Sequence, residues 1–158
     1  GLGTALRLRL FASGPRLIPL STGGLVQYIG PTLPVPLGVV GFIVLLAARV
    51  AKFRHANKIG IGEGDNRTLA RMIRVHGNAI ENAPLGLLLL LVCELVGTTP
   101  NVLHLCGIVL VLGRLAHAVG LSRTAGASVG RVAGMALSWT AMVLMAGVLV
   151  GAFFGVRW

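Results

Sequence analysis

The sequence predicts an all-α fold, an integral membrane four-helix bundle. Three observations predict it. Hydrophobic residues make up 55% of the 158 residues and charged residues only 11%, where an ordinary soluble domain carries roughly 25% charged. The apolar residues gather into four runs, each reaching the roughly 17–20 residues that a helix needs to cross the hydrocarbon layer. The 14 Lys and Arg residues, set against 4 Asp and Glu, sit between and at the ends of those runs, which is the membrane pattern. A net charge of +10 on a soluble surface would suggest nucleic acid. Its placement here argues against nucleic acid as a partner and makes the lipid bilayer the solvent.

Residues 1–32 hold Arg7, Arg9 and Arg16 and are broken by Gly14, Pro15, Pro19, Gly23 and Gly24. They read as a basic N-terminal extension, either leader-like or lying at the interface, to which the sequence assigns no function. Residues 33–156 read as the transmembrane domain. The first span covers about 33–51, with Pro34 and Pro36 where missing N–H groups matter least. A polar connector follows at 58–66. Its Gly60, Gly62 and Gly64 lack the Gly-Lys-Ser/Thr continuation of a phosphate loop. The second span covers about 68–96, polar in its first half and Leu-rich in its second. The short uncharged link 97–100 predicts a hairpin to the third span, about 101–120. The fourth covers about 129–154.

Basic residues flank the first and third connectors (Arg49, Lys52, Arg54, Lys58, Arg67, Arg71 and Arg74; Arg123 and Arg131) and are absent from the second. This places connectors 52–67 and 121–131 in the cytoplasm. Gly126, Gly130 and Gly134 repeat every four residues, as do Gly147, Gly151 and Gly155. Such ridges let helix backbones approach in lipid, within one chain or between chains. Cys93 and Cys106 fall in apolar runs and read as small buried hydrophobes. His55, His76, His104 and His117 lack metal-ligand spacing, and no metal is expected.

The informative segment is RTLARMIRVHGNAIENAP, 67–84. At about 100° per residue, Arg67, Arg71, Arg74, Asn78, Glu81 and Asn82 share roughly a third of the helix circumference. His76 points away from them. Ionisable groups at membrane depth carry a penalty of ~2.5–3.5 kcal/mol each on insertion scales, so they face protein or a watery cavity. Arg114 and His117 on the third span, Arg131 opening the fourth and Arg49 closing the first add cations at the same depth. A purely structural account pairs Glu81 with Arg114 or with an arginine of its own helix and lets the other cations snorkel; Glu94 then simply reaches the far interface. That leaves Asn78, Glu81 and Asn82 unexplained. Converging arginines suit a carboxylate-bearing anion, and a cation near a thiol favours the thiolate.

The pattern Arg71, Arg74, His76, Asn78, Glu81, Pro84 resembles the signature of the MAPEG family, the membrane-associated proteins in eicosanoid and glutathione metabolism. The segment GRLAHAVG, 113–120, resembles that family's third-helix motif, and Arg131 resembles the arginine that opens its fourth helix. The likeness covers about 35–154 and is greatest to the small bacterial branch. It implies a bacterial inner-membrane homotrimer that takes glutathione, as co-substrate, between adjacent subunits. Arg74, Asn78, Glu81 and His117 match glutathione-holding positions, Arg49 matches more loosely, and Arg71 and Arg114 join the binding set. Arg131 matches the position that stabilises the thiolate and is the expected catalytic residue. The implied activity is a glutathione transferase or peroxidase acting on a lipophilic small molecule. Gly77 replaces an arginine, and Leu121 a tyrosine, that several eukaryotic members carry, which argues against the eicosanoid-specific activities. The alternative is a non-catalytic membrane scaffold that binds an anionic lipid or another anion. A transporter reading lacks the paired half-helix repeats it would need.

Overall fold

The computed structural model describes residues 32–124 and 126–156. Four helices follow one another: α1, Pro34–Ala56; α2, Arg67–Leu95; α3, Pro100–Arg123; and α4, Val129–Phe153. Each is long and apolar enough to cross a membrane. The expected spans are all present, and α1 and α3 run on past the expected ends into their basic flanks. The basic extension, 1–32, lies almost wholly outside the described residues.

Local chemistry sets the helix ends. The Asn66 side chain accepts from the backbone N–H groups of Thr68 and Leu69 at 3.0 and 3.1 Å and so caps α2, satisfying donors that a helix start leaves free. Ser128 Oγ accepts from Arg131 N at 3.4 Å and caps α4. Proline occupies the first turn of α1 and of α3, where its fixed φ already suits a helix. Gly97 closes α2 at φ +84°. Its N–H donates to Glu94 O and that of Thr98 to Cys93 O, so the left-handed turn satisfies the last carbonyls and starts the hairpin. Pro84 sits inside α2 without ending it.

The closest packing is between α3 and α4. A Cβ at Gly113 would lie 2.9 Å from the Gly134 carbonyl oxygen, and one at Gly120 would lie 2.6 Å from Arg131 N. Gly130 and Gly134 therefore serve contact within the chain. A Cβ at Gly147 would meet nothing within 4 Å. The first ridge is thus used inside the chain at Gly130 and Gly134 but not at Gly126, and the second is open at Gly147. Farther from the connectors, Leu90, Cys93, Leu103, Cys106, Leu110, Ala141 and Met145 form the main apolar core. A smaller cluster of Leu46, Val75, Ala79 and Ala118 joins α1, α2 and α3 near the basic end. Within the chain α1 is the least embedded helix, with only Val39 and Leu46 buried.

Glu94, near the far end of α2, turns into the protein. It is 4% exposed, and it accepts from Thr32, through both the hydroxyl and, at 3.4 Å, the backbone N–H. A carboxylate in an apolar span needs such donors, and Thr32 supplies them just before α1 begins. Thr32, counted with the extension by sequence, therefore packs on the bundle.

Two outcomes test this packing. Gly113→Ala should lower bundle stability by about 1–3 kcal/mol, the usual effect of overpacking. Gly147→Ala should stay within about 0.5 kcal/mol of the parent in the same circular-dichroism melts. Glu94→Leu should free the start of α1, seen as roughly tenfold faster amide exchange at Val35 and Leu37, the equivalent of one lost hydrogen bond, with exchange in α3 and α4 unchanged.

Candidate functional site

The centre of the polar region is Arg114, 3% exposed. Its Nε donates to Ser138 Oγ at 2.8 Å and its Nη1 to Asn78 Oδ1 at 3.0 Å. Its Nη2 faces Gly134 O at 3.4 Å and Met135 Sδ at 3.7 Å. One guanidinium from α3 thus holds α2 and α4. All its acceptors are neutral, so the cation is solvated by protein dipoles and has no carboxylate partner among the described residues. The pairing of Arg114 with Glu81 offered by a purely structural account does not form; Asn78 takes that place. Ser138 in turn donates to Gly134 O at 2.8 Å, and Asn82 Nδ2 donates to the Asn78 carbonyl at 3.0 Å.

The Arg114 bonds fix the register of the three helices. At 1.5 Å per residue, Arg74 lies about 6 Å toward the connector end from Asn78. His117 lies about 4.5 Å from Arg114 in the same direction, and Arg131 about 4.5 Å from Gly134. Arg74, His117 and Arg131 therefore share one level, one turn above the clamp. His117 is 6% exposed. Arg131 is half-buried, and its Nη1 donates to Gly126 O at 2.6 Å.

The sequence treats the cations of α2 as one stripe, and the structure divides it. Arg74 and Glu81 are exposed, about 20° apart around the axis, and neither hydrogen-bonds another described residue. Gly77 lies between them, where an added Cβ would meet only Glu81 Oε1, at 3.9 Å. The missing side chain leaves that carboxylate open. Arg71 lies about 60° from Arg74 around the axis and turns into the chain, where its Nη1 donates to Ser122 O at 3.3 Å. Arg71 and Arg49 line a cleft of about 200 Å³ between α1, α2 and the end of α3. The eight residues expected to form one site thus fall into three groups: Arg114 with Asn78, the level of Arg74, His117 and Arg131 with Glu81 below it, and the cleft of Arg49 and Arg71.

Sequence reasoning misses Ser138, the closest acceptor of Arg114. Its signal is present, a hydroxyl four residues after Gly134 in an otherwise apolar span. It also misses the pairing of Thr32 with Glu94, whose partners stand 62 positions apart and share no motif. Among the described residues no group of three or more His, Cys, Asp or Glu side chains could hold a metal.

Fold and site together define an integral membrane four-helix protein with an internal arginine clamp and an open charged face on its second helix. The MAPEG family model matches residues 34–151, and the chain belongs to that family. It is also 36% identical over 96 residues to the inner membrane protein YecN of Escherichia coli K12, a match covering 61% of this chain and 72% of that protein. The YecN protein of the O6:H1 strain CFT073 matches to the same extent. The location in those names agrees with four apolar spans.

The clamp is open to a direct test. Ser138→Ala should destabilise the protein by about 1–2 kcal/mol, between the mean for interhelical bonds in membranes and that for bonds to charged groups. Ser122→Ala, where Arg71 uses only the backbone carbonyl, should leave the detergent melting curve in place.

Proposed function

We propose that this protein binds glutathione at the membrane and transfers it to lipophilic electrophiles, as a transferase or peroxidase whose site is completed between copies in a homotrimer. The observation that carries the reading is the pair of Arg74 and Glu81, opposite charges on one flank of α2 that no described residue satisfies. Unpaired charges within a span are unfavourable, and a zwitterionic ligand supplies both counter-charges. The two residues are seven apart, a rise of about 10 Å, close to the length of an extended tripeptide. Membership of the family supports the same reading.

Each residue then has a chemical task. Arg74 pairs with a carboxylate of glutathione and Glu81 with its ammonium group. Asn78, whose oxygen is committed to Arg114, offers its NH₂ as a donor. Arg114 positions Asn78 and does not itself reach the ligand. Arg131, at the level of Arg74, favours the thiolate over the thiol by its charge, while His117 packs beside it. The thiol proton leaves to water. The sulfur electron pair forms the bond to the electrophilic carbon of the second substrate, and the leaving group departs with the electrons of the bond that breaks. Exposed apolar helix faces, such as Val40, Val44 and Leu45 on α1, let a lipophilic substrate arrive through the bilayer.

Calorimetric titration of glutathione into the detergent-purified protein tests this. Saturable binding is expected, weakened about ten- to a hundredfold in Arg74→Ala and in Glu81→Gln, as for the loss of one charge-assisted bond. The melting curves should not move, since neither side chain holds the fold. Arg131→Ala should still bind but show less thiolate absorbance. Absence of binding by the parent protein as an intact oligomer would reject the proposal in favour of a non-catalytic scaffold.

A further inference from the structure

One end of a zwitterionic ligand on α2 needs more than Glu81. An ammonium group carries three N–H donors, and within a span each needs an acceptor. The Glu81 carboxylate is one acceptor centre. The side-chain oxygen of Asn78 is already taken, since it accepts from Arg114 at 3.0 Å. A further acceptor has to come from elsewhere on the open face of α2.

Pro84 directs attention to the backbone. It lies inside α2, and the helix continues past it to Leu95. In an α-helix the N–H of residue 84 would bond the carbonyl of residue 80. Proline has no N–H, so the Ile80 carbonyl loses that partner. The Asn82 side-chain amide does not replace it, because it donates to the Asn78 carbonyl at 3.0 Å. Ile80 stands about 20 Å from the start of α2, well inside the span. Neighbouring helices often supply a donor to a backbone group freed by proline. Here the group is on the outer face: Ile80 is 44% exposed, and Glu81 and Pro84 are exposed beside it.

The freed carbonyl stands next to the charge. Helix carbonyls point toward the C-terminal end, so the Ile80 oxygen lies at the level of Glu81 and Asn82. Pro84 is about 60° from Glu81 around the axis and about 4.5 Å farther along it. The open face therefore carries a cation, Arg74, toward the connector and two acceptors at its deeper end. That order matches a zwitterion whose ammonium group lies deeper than its carboxylate.

Resting on the glutathione reading above, we propose that the Ile80 carbonyl, freed by Pro84, is the second acceptor for the ligand's ammonium group. Pro84 is then a positioning residue that makes the site select ligands with a free amine.

Pro84→Ala returns an N–H to that carbonyl and tests the proposal. Calorimetry compares glutathione with its des-amino analogue, in which hydrogen replaces the γ-glutamyl amine. The parent should prefer glutathione. Pro84→Ala should weaken glutathione binding about tenfold, as for one charge-assisted bond, and leave the affinity for the analogue unchanged. Infrared spectra of protein labelled with 13C-carbonyl isoleucine read the carbonyl itself, with Ile80→Val assigning its band. In the parent the band should move to lower frequency with glutathione and stay in place with the analogue. In Pro84→Ala it should already lie low and not respond. Equal weakening of both ligands by Pro84→Ala would mean that the proline only shapes the helix, and overturns the proposal. An Ile80 band unmoved at saturating glutathione overturns it too, and this measurement on the parent decides alone should Pro84→Ala fail to fold. A parent that binds glutathione but fails either test rejects only this inference. A parent that binds no glutathione rejects the proposed function and this inference together.

Discussion

Arg114 carries a full charge in the packed interior of a membrane protein, and the arrangement of the rest depends on how that charge is accommodated. An isolated guanidinium in hydrocarbon is prohibitive, so its N–H groups must all find acceptors. Ser138, Asn78 and Gly134 provide them from two other helices. The bonds need short distances, and the distances need small residues. A side chain at Gly113 or Gly134 would push α4 away from α3 and take Ser138 out of reach. The glycines and the arginine are thus parts of one device: close backbone approach permits the clamp, and the clamp fixes depth and register for everything one turn above it.

That register turns separated sequence motifs into a single layer. Arg74, His117 and Arg131 come from three helices, and they stand level because Asn78, Arg114 and Gly134 are tied together below them. Arg74 and Glu81 differ in kind from Arg114. They are exposed and bonded to no other described residue. A buried, fully bonded cation is structural equipment, whereas an exposed, unbonded pair within a span calls for a ligand or a neighbouring subunit. The same distinction separates Arg71, with one nitrogen bonded to Ser122 and another orphaned, from the arginines on either side of it.

The far end of the bundle shows the same economy with the opposite sign. Glu94, buried in the apolar half of α2, is satisfied by Thr32, so the entry of the chain into α1 is fastened to the α2–α3 hairpin. Since α1 otherwise buries little, this contact, Val35 against the main core and the small cluster around Leu46 hold it to the other three helices within the chain. A lightly held first helix is consistent with a surface completed by lipid or by further copies.

The sequence by itself determined the class, the four spans and the hairpin, because length, apolarity and the position of basic residues are local properties that a bilayer reads directly. It also determined the membership of the family, through Arg71 to Pro84, the third-helix motif and Arg131. It gathered Arg49, Arg71, Arg74, Asn78, Glu81, Arg114, His117 and Arg131 as one candidate set, since helical periodicity reports a shared face to within about a third of a turn. Only the tertiary structure decided their division into clamp, open face and cleft. Rotations of 60–80° around α2 separate Arg71 from Arg74 and Glu81, too fine for periodicity to resolve. Which of these side chains is bonded depends on what other helices bring opposite: Ser138 for Arg114, Ser122 for Arg71 and Thr32 for Glu94. Those partners are 24, 51 and 62 residues away, and no local rule connects them. Contact across a bundle is a property of packing, and it exists only once the glycines have let the helices meet.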